Sequence, residues 1–170
     1  MKLIALICLP VLLTSCFSYR ITNKEYRDYE YQGERSYAYV TNPQMKKEYR
    51  ILKKSGIFIL TKDSLNPNCV KVNLEPLGYG FSCGMGIIPF IFTLGVLPGG
   101  VDNSCTYRFT VTKNTVLKHH AYFLDIYKRF WWPDLVLFRK NYAKAAGKVL
   151  RGNYYNNDLF MRYGKVHERE

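Results

Sequence analysis

One pattern in the sequence is typical of a nucleophilic enzyme. Residues 80–84, GFSCG, match G-x-S-x-G, in which a serine on a tight strand-to-helix turn attacks a carbonyl carbon. A catalytic triad of this kind also needs an acid and then a histidine after the serine in the chain. The candidates are Asp102 or Asp158, followed by His119, His120 or His167. However, Gly84, Gly86 and Pro89 oppose the helix that must follow the serine. A small serine hydrolase using Ser82 is therefore the most distant of the functions that the sequence suggests.

Two adjacent histidines are the other candidates for site chemistry. On a strand, His119 and His120 point to opposite faces, so they cannot hold one metal ion together. The sequence also contains no carboxylate pair with catalytic spacing, no phosphate-binding glycine loop and no EF-hand pattern. We therefore expect no enzyme activity, no metal site and no cofactor.

Cys16 has the most specific chemistry. Lys2 supplies a positive charge, and residues 3–13 form a run of 11 apolar residues, which is typical of a signal peptide and too short to span a bilayer. The run ends in Leu13-Thr14-Ser15-Cys16, a branched apolar residue, two small residues and a cysteine. This segment resembles the lipobox of bacterial lipoproteins, whose cysteine thiol accepts diacylglycerol before the signal peptide is cleaved.

The resemblance implies that residues 1–15 are removed and that Cys16 becomes an acylated N-terminus. Two or three acyl chains anchor a protein durably, whereas one binds only marginally. In that family, Asp after the cysteine retains the protein at the inner membrane, so Phe17 implies the outer membrane, on the side that faces the periplasm. We therefore expect a protein of the bacterial cell envelope that binds the membrane through its N-terminal lipid. An ordinary secreted protein is the alternative.

The remaining cysteines fit an exported chain. Cys8 leaves with the signal peptide and Cys16 is acylated, which leaves Cys69, Cys83 and Cys105. In an oxidising compartment, three thiols allow one disulfide and one leftover thiol. We expect the bond between Cys83 and Cys105, because it would join the ends of an uncharged segment, with Cys69 as the alternate partner.

Composition limits the class of protein further. The chain has 170 residues, which fits one small domain, and 48% of them are hydrophobic, which excludes a disordered tail protein. Its 25 Lys and Arg against 13 Asp and Glu give a net charge of +12. A protein anchored in the envelope does not meet nucleic acid, so anionic lipid, lipopolysaccharide or an acidic envelope protein is the favoured partner.

The order of apolar and polar residues predicts an α+β fold, with an antiparallel sheet and a C-terminal amphipathic helix. The expected segments are a signal peptide at 1–15, a Tyr-rich tether at 16–36, a β-rich domain with the helix at 37–152 and a polar tail at 153–170. Residues 57–60 and 70–74 predict a hairpin. Tyr107, Phe109 and Val111 alternate with polar residues in a further strand, which a turn at 113–114 joins to a strand over 116–127.

Residues 76–101 contain no charged side chain, but they include three prolines and seven glycines. The length fits a membrane span, whereas the prolines and glycines disfavour a continuous helix. We expect a hairpin that is buried in the domain, with a hairpin that dips into lipid as the alternative. In that alternative the protein is a periplasmic carrier or assembly factor that handles an apolar or lipid ligand.

Residues 134–151 predict the C-terminal helix, with Asp134 as N-cap and Gly152 just past the end. Apolar side chains share one face of this helix. The opposite face carries the cations that we expect to meet a membrane or an anionic partner, unless they are merely solvated: Arg139, Lys140, Lys144, Lys148 and Arg151.

A second resemblance lies in the middle of the chain. Residues 93–98, TLGVLP, precede a Tyr-bearing alternating strand, a second aromatic strand and an aromatic-Trp-Pro segment. This order is similar to a group of small bacterial envelope lipoproteins without an established activity, over about residues 85–135. The resemblance implies envelope localisation and a β-rich domain. We therefore expect a non-enzymatic lipoprotein with a structural or interaction role.

Overall fold

The computed structural model describes residues 17–28, 34–64, 66, 68–80, 84–94, 96–131 and 141–155. The strands are β1 (Phe17–Ile21), β2 (Tyr37–Val40), β3 (Ile59–Thr61), β4 (Val70–Leu74), β5 (Gly78–Tyr79), β6 (Gly99–Asp102), β7 (Cys105–Lys113), β8 (Val116–Leu124) and β9 (Ile126–Phe130). The helices are α1 (Lys24–Asp28), α2 (Lys46–Ser55), α3 (Ile88–Phe92), which follows a 3₁₀ turn (Gly84–Ile87), and α4 (Tyr142–Tyr155). The predicted α+β class and C-terminal helix are confirmed.

Six strands form a mixed sheet, and four of them have the order β3-β2-β4-β7. β4 and β5 pair with different parts of one edge of β7, and β8 pairs with its other edge. β2 runs parallel to both β3 and β4. The predicted hairpin of residues 57–60 and 70–74 is therefore wrong, because β2 lies between its two strands. Parallel neighbours need a crossover, and α2 supplies the one from β2 to β3.

The predicted alternation in β7 is found up to Phe109, beyond which Thr110 is buried and Val111 half-buried, and the turn lies one residue later than predicted. Tyr107 and Phe109 are fully buried, whereas Arg108 is exposed. Asn114 and Thr115 have φ angles of 47° and 67°, and two successive positive φ angles are typical of a tight hairpin turn that matches strand twist. The strand that was expected over 116–127 is interrupted at Asp125, where the chain passes from the mixed sheet to a second sheet.

This second sheet is antiparallel and has the order β1-β9-β6. Phe17 is opposite Phe130, and Phe130 is opposite Gly99. Residues 17–28 of the expected tether are thus built into the domain as β1 and α1.

The main core lies between the mixed sheet and the helices α2 and α4. β7 contributes its fully buried Cys105, Tyr107 and Phe109 to this core. The Tyr107 hydroxyl donates a hydrogen bond to the backbone carbonyl of Glu48 in α2, at 2.9 Å. The sheet is therefore joined to the helix layer by a polar contact as well as by apolar packing.

α4 buries the predicted apolar face, with Ala145, Ala146 and Val149 at 3% exposure or less. Residues 132–140, including the expected cap Asp134, lie outside the described residues. The expected end at Gly152 is wrong, because the helix continues to Tyr155. Gly152 is a packing residue instead: a Cβ there would overlap the ring of Tyr26 in α1.

Gly147 is also a packing residue, at the point where α4 crosses α2. A Cβ at Gly147 would lie 2.6 Å from the backbone carbon of Lys54 and from the backbone nitrogen of Ser55. Real Cβ atoms are not found at such distances, so any larger residue must push the two helices apart.

We expect Gly147→Ala to lower the free energy of unfolding by about 1–3 kcal/mol because of this overlap. The effect opposes intrinsic helix propensity, which favours Ala over Gly by about 1 kcal/mol. Urea unfolding measures the difference. Lys144→Ala, at an exposed position of the same helix, is the matched control and should change stability by less than about 0.5 kcal/mol. A stabilised Gly147→Ala variant would contradict the close packing.

Candidate functional site

The uncharged segment packs on the second sheet through its backbone. A Cβ at Gly86 would overlap the carbonyl oxygen of Gly100, and one at Gly99 would lie 2.7 Å from the Cβ of Phe90. The ring of Phe90 contacts the sheet, at 6.1 Å from the ring centroid of Phe130. Because the glycines bring backbone directly against backbone, the sheet has little room to bury further side chains of this segment.

Six large aliphatic or phenyl side chains between residues 88 and 97 are exposed as a result. They account for nearly half of the 13 exposed large hydrophobic residues in the described part of the chain. We call them the apolar surface: Ile88, Ile91, Phe92, Leu94, Val96 and Leu97. Phe92 and Leu94 are 83% and 85% exposed. The expectation of a buried hairpin at 76–101 is therefore wrong, since residues 84–92 are helical and Leu94, Val96 and Leu97 after them are exposed to solvent. Concentrated apolar exposure marks interaction sites on proteins.

Polar contacts within the segment hold the apolar surface in shape. The Thr93 hydroxyl donates to the carbonyl of Pro89 at 2.7 Å and accepts from the backbone N–H of Leu97 at 2.9 Å. The indole N–H of Trp131 donates to the carbonyl of Val96 at 3.2 Å. Leu94 has a left-handed φ of 52°, which is costly for a branched side chain and recurs at functional positions.

Two cations lie over aromatic rings that contact the uncharged segment. Lys128 Nζ lies 5.0 Å from the ring centroid of Phe130, and the guanidinium carbon of Arg129 lies 4.7 Å from the ring of Trp131. Tryptophan and long cationic side chains beside apolar residues are typical of a membrane–water interface. Sequence reasoning did not select Lys128 and Arg129, although two cations directly before an aromatic run were the signal that could have identified them.

The chain reaches this same end of the second sheet at its described N-terminus. Phe17, Phe130 and Gly99 are neighbours across the three strands, and adjacent strands lie about 4.8 Å apart. The backbone of Phe17 is therefore about 10 Å from that of Gly99, which directly follows the apolar surface. Cys16 lies outside the described residues and is bonded to Phe17.

The structure modifies the predicted cationic face of the C-terminal helix. Arg139 and Lys140 lie outside the described residues. Lys144 is exposed, but Lys148 and Arg151 are half-buried. Arg151 Nε is buried without a hydrogen-bond partner among the described residues. Only Lys144 of the three described cations therefore has the full exposure that an open docking face needs.

The predicted disulfide is not formed. Cys105 and Cys69 are both free thiols in the structure, and Cys83 lies outside the described residues. Strand alternation turns Cys105 into the core, where its Sγ lies 3.1 Å from the hydroxyl of Tyr142. Burial there raises the pKa of the Cys105 thiol.

The groups suggested for catalysis have other partners. Ser82 lies outside the described residues. His119 Nδ1 is 3.1 Å from the hydroxyl of Thr110, and His120 Nδ1 is 3.1 Å from that of Tyr122. Neither histidine is hydrogen-bonded to Asp102. Within the described ranges, no three His, Cys, Asp or Glu side chains converge as they would to hold a metal ion.

Comparison with known proteins adds no family: no family model matches the chain, and no curated protein matches it. Among the residues that the structure describes, no helix has the length and hydrophobicity that crossing a membrane requires. The candidate site is therefore defined by its geometry alone.

Proposed function

We propose that this protein is a non-enzymatic lipoprotein of the bacterial cell envelope, anchored in the outer membrane through Cys16 and seated on that membrane by the apolar surface. One observation carries the proposal. The residue that follows Cys16 pairs in the sheet at the end where the apolar surface is exposed, so acyl chains and apolar side chains would enter the same leaflet.

The chemistry of the surroundings supports a bilayer as the partner. Each large apolar side chain gains about 1.5–3 kcal/mol on full burial. Each cation beside an anionic membrane adds about 1 kcal/mol, and Lys128 and Arg129 lie over rings that contact the segment. The acyl chains would supply attachment, while the apolar surface would fix the orientation of the domain. This orientation is the structural or interaction role that we assign to the protein.

A carrier of an apolar ligand is less well supported. Such a protein encloses its ligand in an apolar cavity, whereas the apolar side chains here face outward. A small hydrolase at Ser82 gains no support from the described histidines, which are bonded elsewhere.

Cys16→Ser should leave an unprocessed precursor that takes up no labelled palmitate, since the hydroxyl cannot replace the thiol as the acyl acceptor. Metabolic labelling and membrane fractionation measure both effects. Cys8→Ser, within the signal peptide, is the control and should be processed normally. Normal processing of the Cys16 variant would exclude the lipid anchor.

The chain from residue 17 onward, which begins with β1, should bind vesicles that contain phosphatidylglycerol. Phe92→Ser with Leu94→Asn should weaken this binding at least about tenfold, because two insertable side chains are lost. Asn tolerates the left-handed backbone at position 94, so the fold should persist. Vesicle co-sedimentation and circular dichroism are the measurements.

Two variants make this experiment specific. Leu117→Asn with Phe123→Ser removes similar side chains from β8, where they are 55% and 58% exposed, and should leave binding intact. Changing Lys140, Lys144 and Lys148 to Glu tests the basic helix. If that variant loses binding while the Phe92 and Leu94 variant keeps it, the helix and not the apolar surface meets the membrane.

A further inference from the structure

An open cavity of about 340 Å³ shares no lining residue with the apolar surface. Its walls come from both sheets and from α2 and α4, which contribute residues that are far apart in sequence. Tyr19 of β1, Tyr79 of β5 and Tyr142 of α4 form the aromatic part. The rings of Tyr19 and Tyr142 meet edge to face, with centroids 5.1 Å apart.

Two cations of α2 give the cavity its charge. Lys47 and Arg50 line it from exposed positions about one helical turn apart. Neither forms an ion pair within the described part of the chain. The carboxylate of Glu48, between them in sequence, is buried and accepts a hydrogen bond from the backbone N–H of Leu77 at 3.3 Å. The charged groups that line the cavity are therefore both positive.

The hydroxyl and thiol groups beside these cations are neutral. Burial raises the pKa values of Tyr79, Tyr142 and the Cys105 thiol. At neutral pH these groups thus keep their protons, and the Tyr79 hydroxyl can donate to a ligand, whereas the Tyr142 hydroxyl already lies 3.1 Å from the Cys105 thiol. They add no negative charge to the cavity, and the nearest carboxylate among the described residues is that of Glu48, whose charge also raises the pKa of Tyr79.

Two side-chain amides complete the lining. Asn103 makes no side-chain hydrogen bond among the described residues. Asn141 uses its oxygen to accept from the backbone N–H of Ala143 at 3.0 Å, which leaves its NH₂ group to donate. The cavity therefore combines neutral hydrogen-bond donors and aromatic rings with two cations that form no ion pair among the described residues.

We infer that this cavity binds a single sugar ring that carries a carboxylate or a phosphate group. Lys47 and Arg50 would bind the acidic group, and the Arg guanidinium suits either oxyanion. The amides and the Tyr79 hydroxyl would bind ring hydroxyls, and the tyrosine rings would cover the apolar C–H face. The volume is at the low end for small-molecule sites, which favours one ring over a chain. This inference does not depend on membrane docking.

The test uses the full chain in a neutral detergent, with ligand titrations followed by NMR. The probes are galacturonate and glucose 6-phosphate, with glucose and inorganic phosphate as the neutral and ring-free comparisons. We expect at least one acidic sugar to bind at least about tenfold more tightly than both comparisons. The stronger of the two acidic probes identifies the preferred group.

Lys47→Gln with Arg50→Gln should weaken binding of that sugar at least about tenfold. Lys46→Gln with Lys53→Gln removes the same charge from exposed positions of α2 outside the cavity, and should preserve affinity. The inference is overturned if neither acidic sugar binds in the millimolar range, if glucose or phosphate alone binds as tightly, or if the two double variants lose affinity equally.

Discussion

The domain depends on the close approach of α4 to α2, which glycine alone permits at the crossing. Gly147 lies against the backbone of α2, and Gly152 lies against the ring of Tyr26. This approach brings the apolar face of α4 onto the buried side of the mixed sheet. It also places the first residue of α4, Tyr142, against Tyr19 and the Cys105 thiol. The main core and the wall of the open cavity therefore share one packing constraint.

Close packing at glycines has the opposite consequence at the second sheet. Gly86 and Gly99 let the helical part of the uncharged segment lie backbone to backbone on β6, while Gly100 leaves room for the ring of Tyr127 in β9. In the α4 crossing, neighbouring side chains fill the space beside the glycines, and burial follows. On β6, the contact consists mainly of backbone with Phe90 beside it, so the remaining apolar side chains project outward. Glycine-mediated contact thus produces a core in one place and an exposed apolar surface in the other.

The repeat of apolar and polar residues along the chain predicted the elements that have one buried face. The alternation of β7, the turn after it and the inner face of α4 were all identified, because one buried face imposes its repeat on the sequence. The position of β2 between β3 and β4 could not be predicted, since the apolar repeat of a strand does not determine which strands lie beside it. Absence of charge suggested burial for residues 76–101, but it does not distinguish a core segment from an exposed apolar one. The cavity residues come from separate elements, so no spacing in the chain connects them.

The second sheet separates the two proposed sites. Phe17, Gly99 and Phe130 lie at one end of it, beside the apolar surface, whereas Asn103 follows β6 at the other end. Along β6, Asn103 is about 13 Å from Gly99, which exceeds the Debye length of about 8 Å at physiological salt. Along β1, however, Tyr19 lines the cavity only two residues, or about 7 Å, from Phe17. In the proposed arrangement, the negative charge of a membrane would therefore be largely screened on the Asn103 side of the cavity but felt on the Tyr19 side, where lipid headgroups would compete with a soluble anion.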